Sequence, residues 1–233
     1  MLFCNAYTSL AVQGACVATS FCSNLVRHDP ALIPPVEDVP KSAFLTVHTI
    51  TVEFAYASLG ALDAAWRLGS TALGPPPRWL AALAHSGDAF VLSLGALLFG
   101  AHYGLVHGEI VATAEARGTP AYVRANHVVH FPTLFLPLLC AAAKDPALLR
   151  AHAPRTRTVL VAAAAYGVAY ATHVTRCADR AKEAPYAFMK RLDTTRRRAC
   201  FWGAGVACAV LPITLAAARA VGRLAARAPR RGT

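Results

Sequence analysis

Two short stretches of this chain hold residue types that do chemistry on esters. One is Phe44-Leu45-Thr46; the other is Asn126-His127-Val-Val-His130. Each lies just inside a segment apolar enough to cross a bilayer. A threonine hydroxyl is almost wholly protonated at neutral pH and attacks a carbonyl only when a neighbouring base takes its proton. A neutral imidazole is such a base. His130 can therefore accept the Thr46 proton during attack on an ester carbonyl and pass it to the leaving alcohol. It can then activate water against the acyl-threonine. The plain alternative for Thr46 is a hydroxyl bonded to the carbonyl one turn back. For His130 it is an interhelical hydrogen bond.

Supporting candidates lie on the same helical faces. Asn126, four residues before His130, can orient the imidazole or help hold an oxyanion. His127 is three residues away. Glu53 follows Thr46 by seven residues on one face; an isolated carboxylate is costly in lipid, so it needs a proton or a partner. His173 belongs to the histidines gathered near the same membrane face. Pro132 and Pro137 predict a kink after His130.

The elements that must position these residues are membrane spans. The chain is 56% hydrophobic and 15% charged, with less charge than ordinary soluble domains carry. Its apolar residues fall in blocks of roughly 20. The blocks predict spans at 3–26, 43–66, 87–107, 125–143, 157–177 and 199–220. They are continuous in apolarity and far longer than barrel strands, so the fold class is all-α: a polytopic transmembrane bundle of six helices. Residues 1–221 form that domain, and 222–233 a basic, disordered tail. Met1-Leu-Phe-Cys opens without a basic leader, so 3–26 reads as a retained span despite its Asn5 and Gln13. Pro and Gly clusters punctuate the loops, as in Gly74-Pro-Pro-Pro77 and Gly118-Thr-Pro120.

Six spans put Thr46 and His130 near the same face, roughly 5 Å and 8 Å inside their helix starts. His28, His48, His102, His107, His127 and His173 collect there too, and only His85 and His152 lie opposite. Intramembrane ionisable groups are functional candidates by default. Lys and Arg divide almost evenly between the two faces, so they do not fix orientation.

The net charge of +11 sits between and after apolar blocks, without any nucleic-acid motif. It suits topology signals and anionic lipid head groups rather than nucleic acid. One HxxH with scattered histidines falls short of the dense histidine boxes of di-iron lipid enzymes, so no metal site is assigned. The seven cysteines have no metal-like or disulfide pattern. A non-enzymatic lipid-binding or signalling membrane scaffold, working through its basic tail and loops, is the main rival reading. A proton-coupled transporter using Glu53 and the histidines is another, though no paired broken helices suggest it.

At these residues the chain resembles the androgen-induced protein family. Lys41-Ser-Ala-Phe-Leu-Thr46 is similar to the start of that family's second span. Asn126-His-Val-Val-His130, with Leu136-Pro137 after it, resembles its Asn-His-x-x-His segment before Leu-Pro. Tyr103 through Glu109, Tyr170-Ala-Thr-His173-Val-Thr and Pro185-Tyr-Ala-Phe188 resemble its third-span end, fifth-span end and following loop. The Leu-Pro pair here comes two residues later, and Arg176-Cys177 stands where relatives continue with glycine. The resemblance implies a membrane threonine hydrolase that cleaves fatty acid esters of hydroxy fatty acids. Thr46 and His130 would be its catalytic pair, with no metal or organic cofactor. The partners implied are a lipid ester substrate and membrane lipids, in the endoplasmic reticulum or plasma membrane. Neither residues nor resemblance fixes the oligomeric state.

Overall fold

The computed structural model describes residues 5–29, 31–33, 40, 43–181, 186, 189–190, 192 and 194–226. They form an all-α bundle of six long rods: α1 (Ala6–His28), α2 (Leu45–Leu68), α3 (Arg78–Arg117), α4 (Pro120–Ala142), α5 (Thr156–Ala181) and α6 (Thr195–Ala226). Five of them are long and apolar enough to cross a membrane. The exception is α2. It has the length, at 24 residues, but His48, Glu53, Asp63 and Arg67 dilute its apolarity. Thr46, Thr49, Glu53 and Asp63 are among its buried residues, so its polarity is turned into the bundle.

Several boundaries differ from those expected. α3 runs for 40 residues with a bend at Gly87 between Arg78–Ser86 and Asp88–Ala101; its contour, about 60 Å at 1.5 Å per residue, is twice the ~30 Å hydrocarbon core. The span expected at 87–107 is only its middle. What stops α3 is backbone chemistry: Gly118 adopts a left-handed φ of 63° and Pro120 opens α4. α6 continues to Ala226, five residues past the expected domain boundary, on the strength of its alanines and arginines. The rest of the expected tail, 227–233, lies outside the described residues. So do Lys41 and Ser42, and most of Pro185–Phe188.

The polar residues of α1 have a use inside the bundle. Gln13, Cys16, Ser20, Ser23 and Arg27 are its buried set, spaced along one helical face. Tyr7, Phe21 and Leu25 are exposed on other faces. Gln13 Nε2 donates to the Cys140 carbonyl at 2.9 Å, and Ser23 Oγ to the Val128 carbonyl at 3.2 Å. Val128 has a carbonyl to spare because Pro132, four residues on, brings no N–H. The proline break in α4 and the serine on α1 are thus complementary.

α3 and α4 approach so closely that only glycine fits. A Cβ on Gly95 would lie 1.9 Å from the Thr133 carbonyl oxygen, and Thr133 Oγ1 itself donates to the His130 carbonyl at 2.7 Å. Gly95→Ala is expected to destabilise the fold by about 1–3 kcal/mol through overpacking. Gly203→Ala, with open space around it, is the control. Thermal unfolding of the two purified proteins checks this: equal melting temperatures would mean that the helices part without cost.

The end of the bundle remote from Thr46 carries its own buried charges. Asp63 accepts from Arg67 at 2.7 Å and lies 3.0 Å from His85 Nε2. Lys144, 1% exposed, pairs with Asp88 at 2.9 Å and lies 4.1 Å from the centre of the Tyr56 ring. These contacts link α2, α3 and the end of α4.

Candidate active site

Thr46 and His130 meet. Thr46 Oγ1 is 2.9 Å from His130 Nε2, and the two residues are 5% and 6% exposed. The other ring nitrogen fixes the roles. His130 Nδ1 lies 2.8 Å from the Asn126 carbonyl oxygen, which can only accept. The proton therefore sits on Nδ1, Nε2 is left with its lone pair, and Thr46 O–H donates to it. That is the protonation pattern a general base requires.

Local structure explains why this threonine differs from others in the chain. Thr19, Thr51 and Thr172 each donate to the carbonyl four residues back, at 2.7–2.9 Å. Thr46 is the second residue of α2, so no helical carbonyl lies a turn behind it. The start of α2 is capped from outside. Leu45 N–H donates to the Tyr186 hydroxyl at 2.8 Å, and Tyr170 O–H donates to the Ala43 carbonyl at 3.0 Å. The two hydroxyls are 2.9 Å apart, so a consistent chain runs from Leu45 through Tyr186 and Tyr170 to Ala43. Phe44 offers no capping side chain, and the tyrosines satisfy backbone groups it leaves open. Burial pushes the Tyr186 hydroxyl above the usual tyrosine range, so it keeps its proton.

His130 is the last residue before the proline break in α4, and its ring is stacked on that of His102. The planes are 8° apart and the centroids 3.7 Å apart. His102 is 3% exposed, and its Nε2 has no hydrogen-bond partner among the described residues. It opens a π-helical turn, His102–Val106, inside α3; such turns recur at functional sites. Sequence reasoning gathered His102 with the other histidines of this face but did not single it out. The usable signal was its place at the end of the third span, level with His130.

The supporting candidates divide. Asn126 lines the same cavity as the pair, but its backbone carbonyl, not its amide, orients His130. Its amide Nδ2 donates to the Tyr122 carbonyl at 2.9 Å. His127 faces away, 2.8 Å from the Tyr103 hydroxyl and stacked on that ring. Glu53 is 4% exposed two turns along α2, in a separate small void with Cys16, Ser20 and Tyr56. His173 sits beside His48 and Cys177. Seven- and three-residue spacings set a helix face but not which neighbour that face meets, so His127, Glu53 and His173 do not reach the pair. Among the described residues, no three of His, Cys, Asp and Glu converge as metal ligands would.

Thr46, Asn126, His130 and His102 open onto a cavity of about 770 Å³, within the range of small-molecule sites. Leu94, Leu97 and Leu98 of α3 line it, as do Val206, Val210 and Ile213 of α6. The stretch of α6 alongside, Thr195–Gly205 and Val206–Val210, has no buried residue. It flanks the cavity without packing tightly against the bundle. No family model, curated protein or solved structure matches this chain.

Proposed function

We propose that this chain is a membrane-embedded hydrolase of lipid esters, with Thr46 as nucleophile and His130 as base. Fatty acid esters of hydroxy fatty acids are its substrate class. The observation that carries the proposal is the 2.9 Å contact between Thr46 Oγ1 and an unprotonated His130 Nε2. It lies in the wall of a largely apolar cavity beside a thinly packed helix. The substrate class comes from the resemblance at Thr46 and at Asn126–His130. An endoplasmic-reticulum or plasma-membrane location goes with that reading.

The chemistry runs in two halves. Thr46 Oγ1 attacks the ester carbonyl carbon while its proton moves to His130 Nε2. Asn126 has a second amide hydrogen to offer the developing oxyanion. Collapse breaks the bond to the alkoxy oxygen, which takes the proton from Nε2 and leaves as the hydroxy lipid. Water then gives a proton to Nε2 and attacks the acyl-threonine. The fatty acid departs, and Thr46 recovers its proton.

A fluorophosphonate that captures activated hydroxyls tests the assignment. It is expected to label the purified protein on Thr46, read by peptide mass spectrometry, and to block hydrolysis of a branched lipid ester. Labelling elsewhere with activity lost would move the nucleophile away from Thr46.

His102 has an expected part in this cycle. A positive charge formed on His130 meets the face of the His102 ring at 3.7 Å. A cation over an aromatic face gains about 0.5–2 kcal/mol. His102→Ala should therefore lower kcat/KM by about 3- to 30-fold, and His102→Phe should restore most of it. A phenylalanine variant as impaired as the alanine one would assign the effect to a ring nitrogen instead.

A further inference from the structure

We infer that Arg27 is an anion anchor, so that the preferred lipid ester carries a carboxylate or phosphate that docks on its guanidinium while the ester lies at Thr46. This deepens the hydrolase reading and rests on it only for the placing of the ester at Thr46.

Arg27 sits in the last turn of α1 and is 8% exposed. Arginines at the ends of membrane helices ordinarily extend their heads to the aqueous boundary. This one lines the cavity that holds Thr46 and His130. Its guanidinium carbon lies 4.9 Å from the centre of the Phe44 ring, two residues before the nucleophile. Tyr122 and Tyr186 line the same polar end, and the cavity runs on to Ile213 and Thr214 of α6. One chamber thus offers a cation, a nucleophile and a long apolar wall.

Three other cations of the bundle are paired with carboxylates. Lys144 has Asp88 at 2.9 Å, Arg67 has Asp63 at 2.7 Å, and Arg198 has Asp179 at 2.5 Å. Among the described residues, no Asp or Glu lies within ion-pair distance of Arg27. Glu109 lines the same cavity but is exposed and makes no ion pair with it. A buried charge without a counter-charge is costly. A bound anion would remove that cost, and a guanidinium's fork of donors suits a carboxylate or phosphate oxygen pair. The Phe44 ring lies beside the guanidinium carbon and leaves its N–H donors for the ligand.

Binding of uncleavable ligands to the full chain in nanodiscs of zwitterionic lipid tests this. The ligands are a branched ether lipid ending in a free carboxylate, its methyl ester, and the same lipid ending in phosphate. Fluorescence of Trp202, which lines the cavity, reports binding. The wild type is expected to bind the acid about 10- to 100-fold more tightly than the methyl ester, the size of a charge-assisted contact. Arg27→Gln should erase that preference, and Arg27→Lys should keep part of it. Either anion binding better than the methyl ester supports the anchor. Phosphate ahead of carboxylate points to a phospholipid-type substrate, and the reverse to an acyl acid. Equal affinity of the wild type for acid and methyl ester overturns the proposal, and needs no variant. So does an Arg27→Gln protein that keeps the wild-type ratio. Because the ligands cannot be cleaved, acid preference without any ester hydrolysis would sink the hydrolase reading alone. Hydrolysis at Thr46 without acid preference would sink the anchor alone.

Discussion

Thr46→Ala is expected to abolish ester hydrolysis and fluorophosphonate labelling while the protein still inserts and folds. The hydroxyl bonds His130 Nε2 and takes no part in the helix backbone. Its removal leaves one buried acceptor unpaired, at about 1–3 kcal/mol. That loss is too small to prevent insertion. The expected catalytic loss is much larger, because Thr46 is the cavity hydroxyl that is bonded to His130 Nε2. Deleting one member of a nucleophile–base unit costs at least about 10³-fold in kcat. Thr46→Ser keeps the hydroxyl and should retain measurable turnover, which separates loss of the nucleophile from loss of the methyl group. The assay is release of free fatty acid from a branched ester by purified protein, normalised to folded protein. A scaffold would behave differently. Its phenotype would survive Thr46→Ala and fail on removal of residues 222–233. A Thr46→Ala protein that turns over the ester at the wild-type rate would end the nucleophile assignment.

Thr46 and His130 could be paired in advance because each lies a few residues inside its helix from one membrane face. Helical rise then fixes depth without any knowledge of packing. Depth alone did not choose among the neighbours. Glu53 shares the Thr46 face, yet two turns lower that face meets Gly95 and Thr133 instead of the cavity. Asn126 shares the His130 face, but it orients the imidazole through a main-chain carbonyl that every residue possesses. Side-chain identity therefore carried no signal for that contact. The polar residues of α1 looked like a weakness in a span, because hydropathy sums a helix and ignores its sides. Spaced three and four apart, they form the inward stripe that ends in Arg27. α2 shows the same inversion: its buried polar groups lower its apolarity although it packs within the bundle. The π-helical turn that opens at His102 left no trace in composition, since the extra residue changes the helix phase without changing any residue type.

Replacing His130 should be nearly as damaging as replacing Thr46, and the manner of the loss identifies its role. His130→Ala removes the proton acceptor and should lower kcat by about 10²- to 10⁴-fold. Fluorophosphonate labelling of Thr46 should slow in parallel, because the hydroxyl is no longer activated. His130→Gln can still accept a hydrogen bond from Thr46 but cannot carry a proton between steps. Its turnover should stay near that of the alanine variant even if its stability is higher. The alanine variant also leaves a space of imidazole shape between the His102 ring, whose centroid was 3.7 Å from that of His130, and Thr46. Added imidazole is therefore expected to restore hydrolysis in proportion to its concentration in His130→Ala and to do nothing for Thr46→Ala. Rescue of one variant and not the other separates a mobile proton carrier from a fixed nucleophile. If neither substitution slows labelling or hydrolysis, the 2.9 Å contact is a helix–helix hydrogen bond and nothing more.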